Sequence, residues 1–218
     1  MIKAVIFDLD GTLANTLPTL CYVGNTALAA CGFRKVPQDR YPLLIGNGAN
    51  NLIAGLINVV NSIPPFPGEV EMVRAEYDKI YAADPLYLTE AYDGIQELIS
   101  ELKARGIKCA VLSNKPHDMT EKVVEGLFPE GAFDIVFGQR ENIAKKPAPD
   151  GALEIAKTLD IDTRDFLFVG DSGVDMQTGN NAGMTPVGVL WGFRSKAELL
   201  SFDAKHIIEN PAELLSLI

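Results

Sequence analysis

The chain has 218 residues, 47% apolar and 22% charged, a balance that supports a folded core and excludes a disordered or collagen-like chain. Lysine and arginine total 19 against 29 aspartates and glutamates, a net charge of −10. A surface this acidic repels nucleic acid and anionic lipid, so an anionic ligand must be drawn in locally by a cation, a lysine or helix N-termini.

Ile2–Phe7 reads as a short strand buried on both faces and halted by Asp8-Leu9-Asp10-Gly11. The next stretch is helical. Leu17, Leu20, Cys21, Leu28 and Cys31 share a helical face that ends at Gly32. Gly48 to Val60 gives a second helix, and Glu69 to Tyr81 a third after the breaker Pro64-Pro65-Phe66-Pro67-Gly68. No strand is expected there. Asp93 then caps a helix carrying Ile95, Leu98, Ile99 and Leu102, ended by Gly106. A strand over Ile107–Leu112 runs into Ser113-Asn114, and a shorter one covers Ile135–Phe137. Asp150 opens a helix through Leu153, Ile155, Ala156 and Leu159. Phe166–Val169 precedes Gly170-Asp171, Pro186–Leu190 follows, and His206–Ile208 is a weak last strand.

Continuous apolar strands alternating with amphipathic helices predict an α/β fold with a Rossmann-like parallel sheet. The helical stretch interrupts that alternation after the first strand. The expected domains are an α/β catalytic core of residues 1–14 and 89–218 and an inserted helical domain of residues 15–88. Cys21, Cys31 and Cys109 cannot all pair and lack metal-ligand spacing, so they read as reduced thiols of a cytoplasmic protein. The most apolar region, Leu43 to Val60, is broken by four asparagines, and no membrane span is expected. The apolar start runs into Asp8 and Asp10 too soon for a signal peptide.

In a parallel α/β sheet, ligands bind at the carboxyl ends of the strands. Asp8, Ser113 and Asp171 each follow a strand candidate, so they should meet on one edge. Asp8 and Asp10 repel unless a cation lies between them or one is protonated. Oxygen ligands without histidine or cysteine neighbours point to a hard cation, hence Mg²⁺. Asp171 and Asp175, four apart at a helix start, add further acids. Lys146 lies in Lys145-Lys146-Pro147-Ala148-Pro149-Asp150, where prolines stiffen the backbone and allow a lysine to be aimed. There it would hold carboxylates together and bind phosphate. Taken singly, these are turn or capping aspartates, a solvated loop lysine and a strand-ending Ser-Asn turn. Taken together they describe one site.

Asp8-Leu9-Asp10-Gly11-Thr12, Ser113-Asn114, Lys146-Pro147 and Gly170-Asp171-Ser172-Gly173-Val174-Asp175 resemble, in order, the four motifs of the haloacid dehalogenase-like hydrolases. Ile45-Gly46-Asn47-Gly48-Ala49, Ser113-Asn114-Lys115-Pro116 and Leu190-Trp191-Gly192-Phe193-Arg194 are similar to the phosphoglycolate phosphatase subgroup. The resemblance implies that Asp8 is the nucleophile and forms an aspartyl-phosphate. It makes Asp10 the general acid and then the base. Mg²⁺ would be held by Asp8, the Asp10 carbonyl and Asp171, with Asp175 supporting the metal and Lys146. Ser113 and Lys146, with Thr12 and Asn114, would bind the phosphoryl group. The insertion would be a helical cap, and Gly46, Asn47 and Gly48 would meet the substrate.

The implied activity is Mg²⁺-dependent hydrolysis of a small phosphorylated metabolite, 2-phosphoglycolate or a similar monoester, by a monomer or homodimer that binds neither nucleic acid nor membrane. A phosphosugar mutase of the β-phosphoglucomutase type and a pyrophosphatase share the core motifs. A phospho-receiver signalling domain shares the acidic pocket, but needs no insertion over its acceptor. Asn15 stands where the family often has aspartate and reads as tuning of the hinge. Trp191 and Arg194 read as packing or surface residues, and His117 as a helix-start residue.

Overall fold

Apolar on both faces, Ala4–Phe7 forms strand β1 in the computed structural model, which describes residues 1–218. The chain then passes through the two-residue strand β2 (Ala14–Asn15) into helices α1 (Leu17–Ala30), α2 (Ala49–Asn61) and α3 (Glu69–Ala83), and on to β3 (Glu90–Ala91). There follow α4 (Ile95–Ala104), β4 (Lys108–Pro116), α5 (His117–Leu127), β5 (Ile135–Gln139) and α6 (Asp150–Leu159). The last elements are β6 (Phe166–Gly170), α7 (Gly173–Asn181), β7 (Thr185–Val189), α8 (Lys196–Ser201) and β8 (His206–Ile208). Two units result: Met1–Asn15 with Ala91–Ile218, and Thr16–Glu90.

The first unit is built on a six-stranded sheet in the order β5-β4-β1-β6-β7-β8, parallel throughout. Successive side chains point to opposite faces, and both faces are covered. Val5 and Phe7 pack with Ile95, Leu98 and Leu102 of α4 and Val123 of α5. Ala4 and Ile6 pack with Ala152 and Ile155 of α6 and with Met184. The expected α/β class with a doubly covered parallel sheet is therefore the observed one. β1 lies centrally, with Phe7 level with Val111 on one side and Val169 on the other. From β1 the chain steps outward to β4 and β5, then crosses to β6 and steps the other way to β7 and β8. That reversal puts a crevice at the carboxyl ends of β1 and β6, where ligands of such sheets collect.

The helical unit is held by its own apolar faces. α1 packs on α2 and α3. α2 buries Leu52, Ile53, Leu56 and Ile57, and α3 buries Val73, Tyr77 and Tyr81. Tyr41, in a 3-10 turn over Gln38–Leu43 that the pattern did not indicate, is fully buried. The Thr19 hydroxyl meets the Tyr87 carbonyl and the Thr89 hydroxyl, both at 2.6 Å, and ties the end of the unit to α1. No helix is long and apolar enough to cross a membrane.

Four local expectations are corrected. β2 and β3 pair in a separate two-stranded sheet although no strand was expected near them; two residues are too few to show a period of two. The strand through Leu112 continues to Pro116, with a register shift after Leu112, so Ser113 and Asn114 lie within β4. Gly94, at φ +80, rather than Asp93, precedes α4. Leu153 is 43% exposed, and α6 turns Gly151, Ala152, Ile155 and Ala156 inward instead. A Cβ on Gly151 would lie 2.7 Å from Leu112 Cδ1, so close approach to the sheet selects the smallest residues.

Candidate active site

Asp8 is the first residue beyond β1, and its N–H extends the sheet by bonding the Val169 carbonyl at 2.9 Å. This fixes its backbone at the crevice, and its side chain is 7% exposed. Asp8 Oδ1 accepts the Leu9 N–H at 2.7 Å and lies 2.8 Å from Lys146 Nζ. The Leu9 carbonyl then receives N–H groups from Leu13 and Ala14, and Gly11 N–H bonds the Ala14 carbonyl. The loop folds back so tightly that Gly11 takes φ +84, with a Cβ there falling on the Asp171 carboxylate. Only glycine meets both conditions. Trp191 Nε1 donates to the Thr12 carbonyl at 2.9 Å and clamps the loop from the β7 side. Thr12 itself is fully buried, and its hydroxyl has no hydrogen-bond partner.

β4 supplies the second group. Ser113 and Lys115 are both buried, and Ser113 Oγ accepts the Lys115 N–H at 3.2 Å. Lys115 Nζ lies 2.8 Å from Asp10 Oδ1, with the lysine side chain 4% exposed. Asn114 turns towards the 146 segment. Its Nδ2 donates to the Lys146 carbonyl at 3.0 Å and its Oδ1 accepts the Lys146 N–H at 2.9 Å. Grouped with phosphate binding from sequence, Asn114 thus has both amide atoms on the Lys146 backbone. The Lys146–Pro147 peptide is cis. Lys146 Nζ, pinned from behind, reaches Asp8 Oδ1 and Asp175 Oδ1 at 2.8 and 2.6 Å.

β6 supplies the third. Asp171 and Asp175 are buried, and the carboxylate oxygens of Asp8, Asp171 and Asp175 gather within 4.8 Å of one another. Asp171 Oδ2 accepts the Phe193 N–H at 2.7 Å. Asp175 Oδ2 accepts the Ser172 N–H and hydroxyl in a capping box at the start of α7.

Three buried carboxylates against one ammonium leave two negative charges in a low-dielectric site. The Asp8 carboxyl is accordingly raised to about 7, first by burial and then by Asp175, with Lys146 pulling the other way. Asp171 is raised well above the usual carboxylate range by burial and by Asp175 and Asp8. Burial acts to lower Lys146, but Asp175 and Asp8 hold it above its ordinary value. A divalent cation fits this donor set: hard oxygen ligands, no nitrogen or sulfur donor, and a charge deficit of two. Asp8 and Asp171 are the better-placed donors, because both Asp175 oxygens already hold Lys146 and Ser172.

The core thus brings together Asp8, Asp10, Thr12, Ser113, Asn114, Lys146, Asp171 and Asp175. Gly46, Asn47 and Gly48 belong to the helical unit, with Gly46 and Gly48 at φ +108 and +85 and the Asn47 carbonyl accepting Asn51 Nδ2. His117 opens α5. Arg194 is nearly buried, with Nε 3.2 Å from Glu198 Oε1. Lys115 was not read as a site residue. Its signal was its place two residues after Ser113, on the same side of an extended chain.

A family model described as haloacid dehalogenase-like hydrolase matches residues 5–189. A phosphoglycolate phosphatase from Haemophilus influenzae is 29% identical over 219 residues, spanning 99% of this chain and 98% of its own. An N-acetylmuramic acid 6-phosphate phosphatase from Pseudomonas aeruginosa is 28% identical, spanning 100% of this chain and 95% of its own. A crystal structure from Lactobacillus delbrueckii subsp. bulgaricus, provisionally named a phosphoglycolate phosphatase, is 31% identical. It superposes with a TM-score of 0.94 over 99% of this chain and 98% of that one.

Proposed function

The chain belongs to the haloacid dehalogenase-like hydrolase family and is a phosphatase of that family; from this premise we propose that it hydrolyses a small phosphate monoester, 2-phosphoglycolate or a close analogue, with Mg²⁺ and through an aspartyl-phosphate on Asp8. The observation that carries the reading is the buried cluster in which Lys146 bridges Asp8 and Asp175 beside Asp171. Phosphoryl transfer asks of a protein an in-line nucleophile, positive charge around the equatorial oxygens and accurate positioning.

Each residue then has a task. Asp8 attacks phosphorus, displacing the alcohol and forming the acyl phosphate. Asp10, in the same loop, protonates the departing oxygen and then takes a proton from the water that hydrolyses the intermediate. Lys146 and the Ser113 hydroxyl bind the phosphoryl oxygens, and the buried Thr12 hydroxyl gains a partner there. Asn114 acts through Lys146 by fixing its backbone. Mg²⁺, held by Asp8, Asp171 and the Asp10 carbonyl, would supply charge neutralisation at the phosphoryl group. Asp175 organises Lys146 and the start of α7. Thr16–Glu90 is the cap that selects the leaving group, with Gly46, Asn47 and Gly48 as its substrate loop. Free Cys21, Cys31 and Cys109 suit the reducing cytoplasm.

The test is phosphate release from phosphoglycolate, sugar phosphates, nucleotides and pyrophosphate, with Mg²⁺ and with EDTA. The expected result is multiple turnover on a monoester that stops in EDTA and returns with Mg²⁺. A single equivalent of phosphate would favour a receiver, release from pyrophosphate alone a pyrophosphatase, and isomerised sugar phosphate without net release a mutase.

A further inference from the structure

We propose that Trp191 is a positioning residue for the acid–base step: through the Thr12 carbonyl, its indole holds the turn that aims Asp10. This rests on the role given to Asp10 above.

Asp10 sits in a turn that closes on itself. The Leu9 carbonyl accepts N–H groups from Leu13 and Ala14, both at 3.0 Å, and Gly11 N–H donates to the Ala14 carbonyl at 2.9 Å. Such a turn is fixed relative to the sheet by the groups that grip it from outside. The Leu13 carbonyl accepts the Tyr92 N–H at 3.1 Å, and the Thr12 carbonyl accepts the Trp191 Nε1 proton at 2.9 Å. Trp191 lies 179 residues along the chain from Thr12, so the fold rather than the local sequence brings the two together.

The segment that carries Trp191 is itself anchored. The Leu190 N–H bonds the Ile208 carbonyl of β8 at 3.0 Å, and the Phe193 N–H bonds Asp171 Oδ2 at 2.7 Å. The indole packs against the core that holds Phe7, Leu9 and Leu13. A Cβ on Gly192 would collide with the Asp171 side chain and with the Gly11 carbonyl, so this segment presses directly on the Asp10 turn. Phenylalanine at 191 would fill much of the same space but could not donate. The Thr12 carbonyl would then lose its grip from the β7 side. Asp10, two residues earlier, would be free to drift from the leaving oxygen, which it must approach within roughly 2.6–3.2 Å. A misplacement of about 1 Å caused by a distant change costs rate steeply.

The experiment measures kcat/KM on an alkyl phosphate and on nitrophenyl phosphate for the wild type, Trp191→Phe, Asp10→Asn and protein with 3-benzothienylalanine at position 191. The last keeps the two-ring shape and puts sulfur in place of the N–H. One hydrogen bond sets the scale, so both replacements of Trp191 should lose roughly 3–10-fold on the alkyl ester. Nitrophenyl phosphate, whose leaving group needs little protonation, should be spared. An equal loss on both esters would overturn the proposal and leave Trp191 to packing. So would no loss on either, or a loss with phenylalanine that benzothienylalanine does not reproduce. The chain has one tryptophan, which gives a readout independent of turnover. Its indole N–H resonance should exchange slowly with solvent, and exchange as fast as in free tryptophan would remove the contact on which the proposal stands. If Asp10→Asn itself fails to separate the two esters, the acid role of Asp10 has failed instead; separation in Asp10→Asn with none at Trp191 strikes Trp191 alone.

Discussion

The two units bury different chemistry. Thr16–Glu90 encloses apolar side chains together with the hydroxyls of Thr16, Thr19 and Thr89, and no charged group. The other unit encloses Asp8, Lys115, Lys146, Asp171 and Asp175, with Ser113, Asn114 and Ser172 among them. Burying an ionised group is costly unless it is paired, and every one of these has a charged or hydrogen-bonding partner. A unit that buries only apolar and hydroxyl groups is organised for packing. One that collects carboxylates around two ammonium groups at the ends of three adjacent strands is organised for reaction. On the function proposed above, substitutions of Asp8 and Asp10 should act on turnover, whereas those in the helical unit should act on substrate choice.

The largest expected effect is at Asp8. Asp8→Asn keeps the shape of the side chain but cannot attack phosphorus, so phosphate release should be abolished while the far-ultraviolet circular dichroism stays unchanged. Ordinary turnover in pure variant protein would refute the assignment. Asp10→Asn should lose roughly 10²–10⁴-fold on an alkyl phosphate, the usual range for general acid–base help. A loss below tenfold would reject that role.

Next comes a pH dependence. The Asp8 carboxyl is raised from 3.8 to about 7 in the folded state. Between those values the folded protein binds more protons than the unfolded chain, so the metal-free protein loses stability as pH rises towards and through 7. Asp171 acts in the same direction. Metal-free Asp8→Asn should therefore melt above the wild type at pH 8, with the gap closing by pH 5. Mg²⁺ should raise the wild-type melting temperature more at pH 8 than at pH 5. Calorimetry showing a gap independent of pH would contradict the buried-charge account.

The smallest effect is expected in the helical unit. Asn47→Ala should reduce kcat/KM on a preferred ester more than on a small activated aryl phosphate, which has few leaving-group contacts to lose. An equal loss on both would move Asn47 from selection to closure or folding.

The sheet was legible because β1 and β6 are continuous apolar runs buried on both sides. The aspartates were legible because strand ends converge in any parallel sheet. Lys115 was missed because the strand was expected to stop at Leu112; once β4 extends to Pro116, its place two residues after Ser113 sets it beside Asp10. Asn114 was legible as a site residue but not in its contact, since its partner, the Lys146 backbone, lies 32 residues away. Leu153 misled because a hydropathy pattern ranks leucine above Gly151 and Ala152, while close helix–sheet packing prefers the small residues.

The most direct test of the central claim is to trap the acyl phosphate. An aryl phosphate needs little protonation on leaving, so Asp10→Asn should still form the intermediate yet lack the base that hydrolyses it. Acid quench, borohydride reduction and peptide mass spectrometry of that variant with an aryl phosphate and Mg²⁺ should find homoserine at position 8 and nowhere else. Continued phosphate release with no reduced residue at position 8, or reduction at another aspartate, would contradict the account.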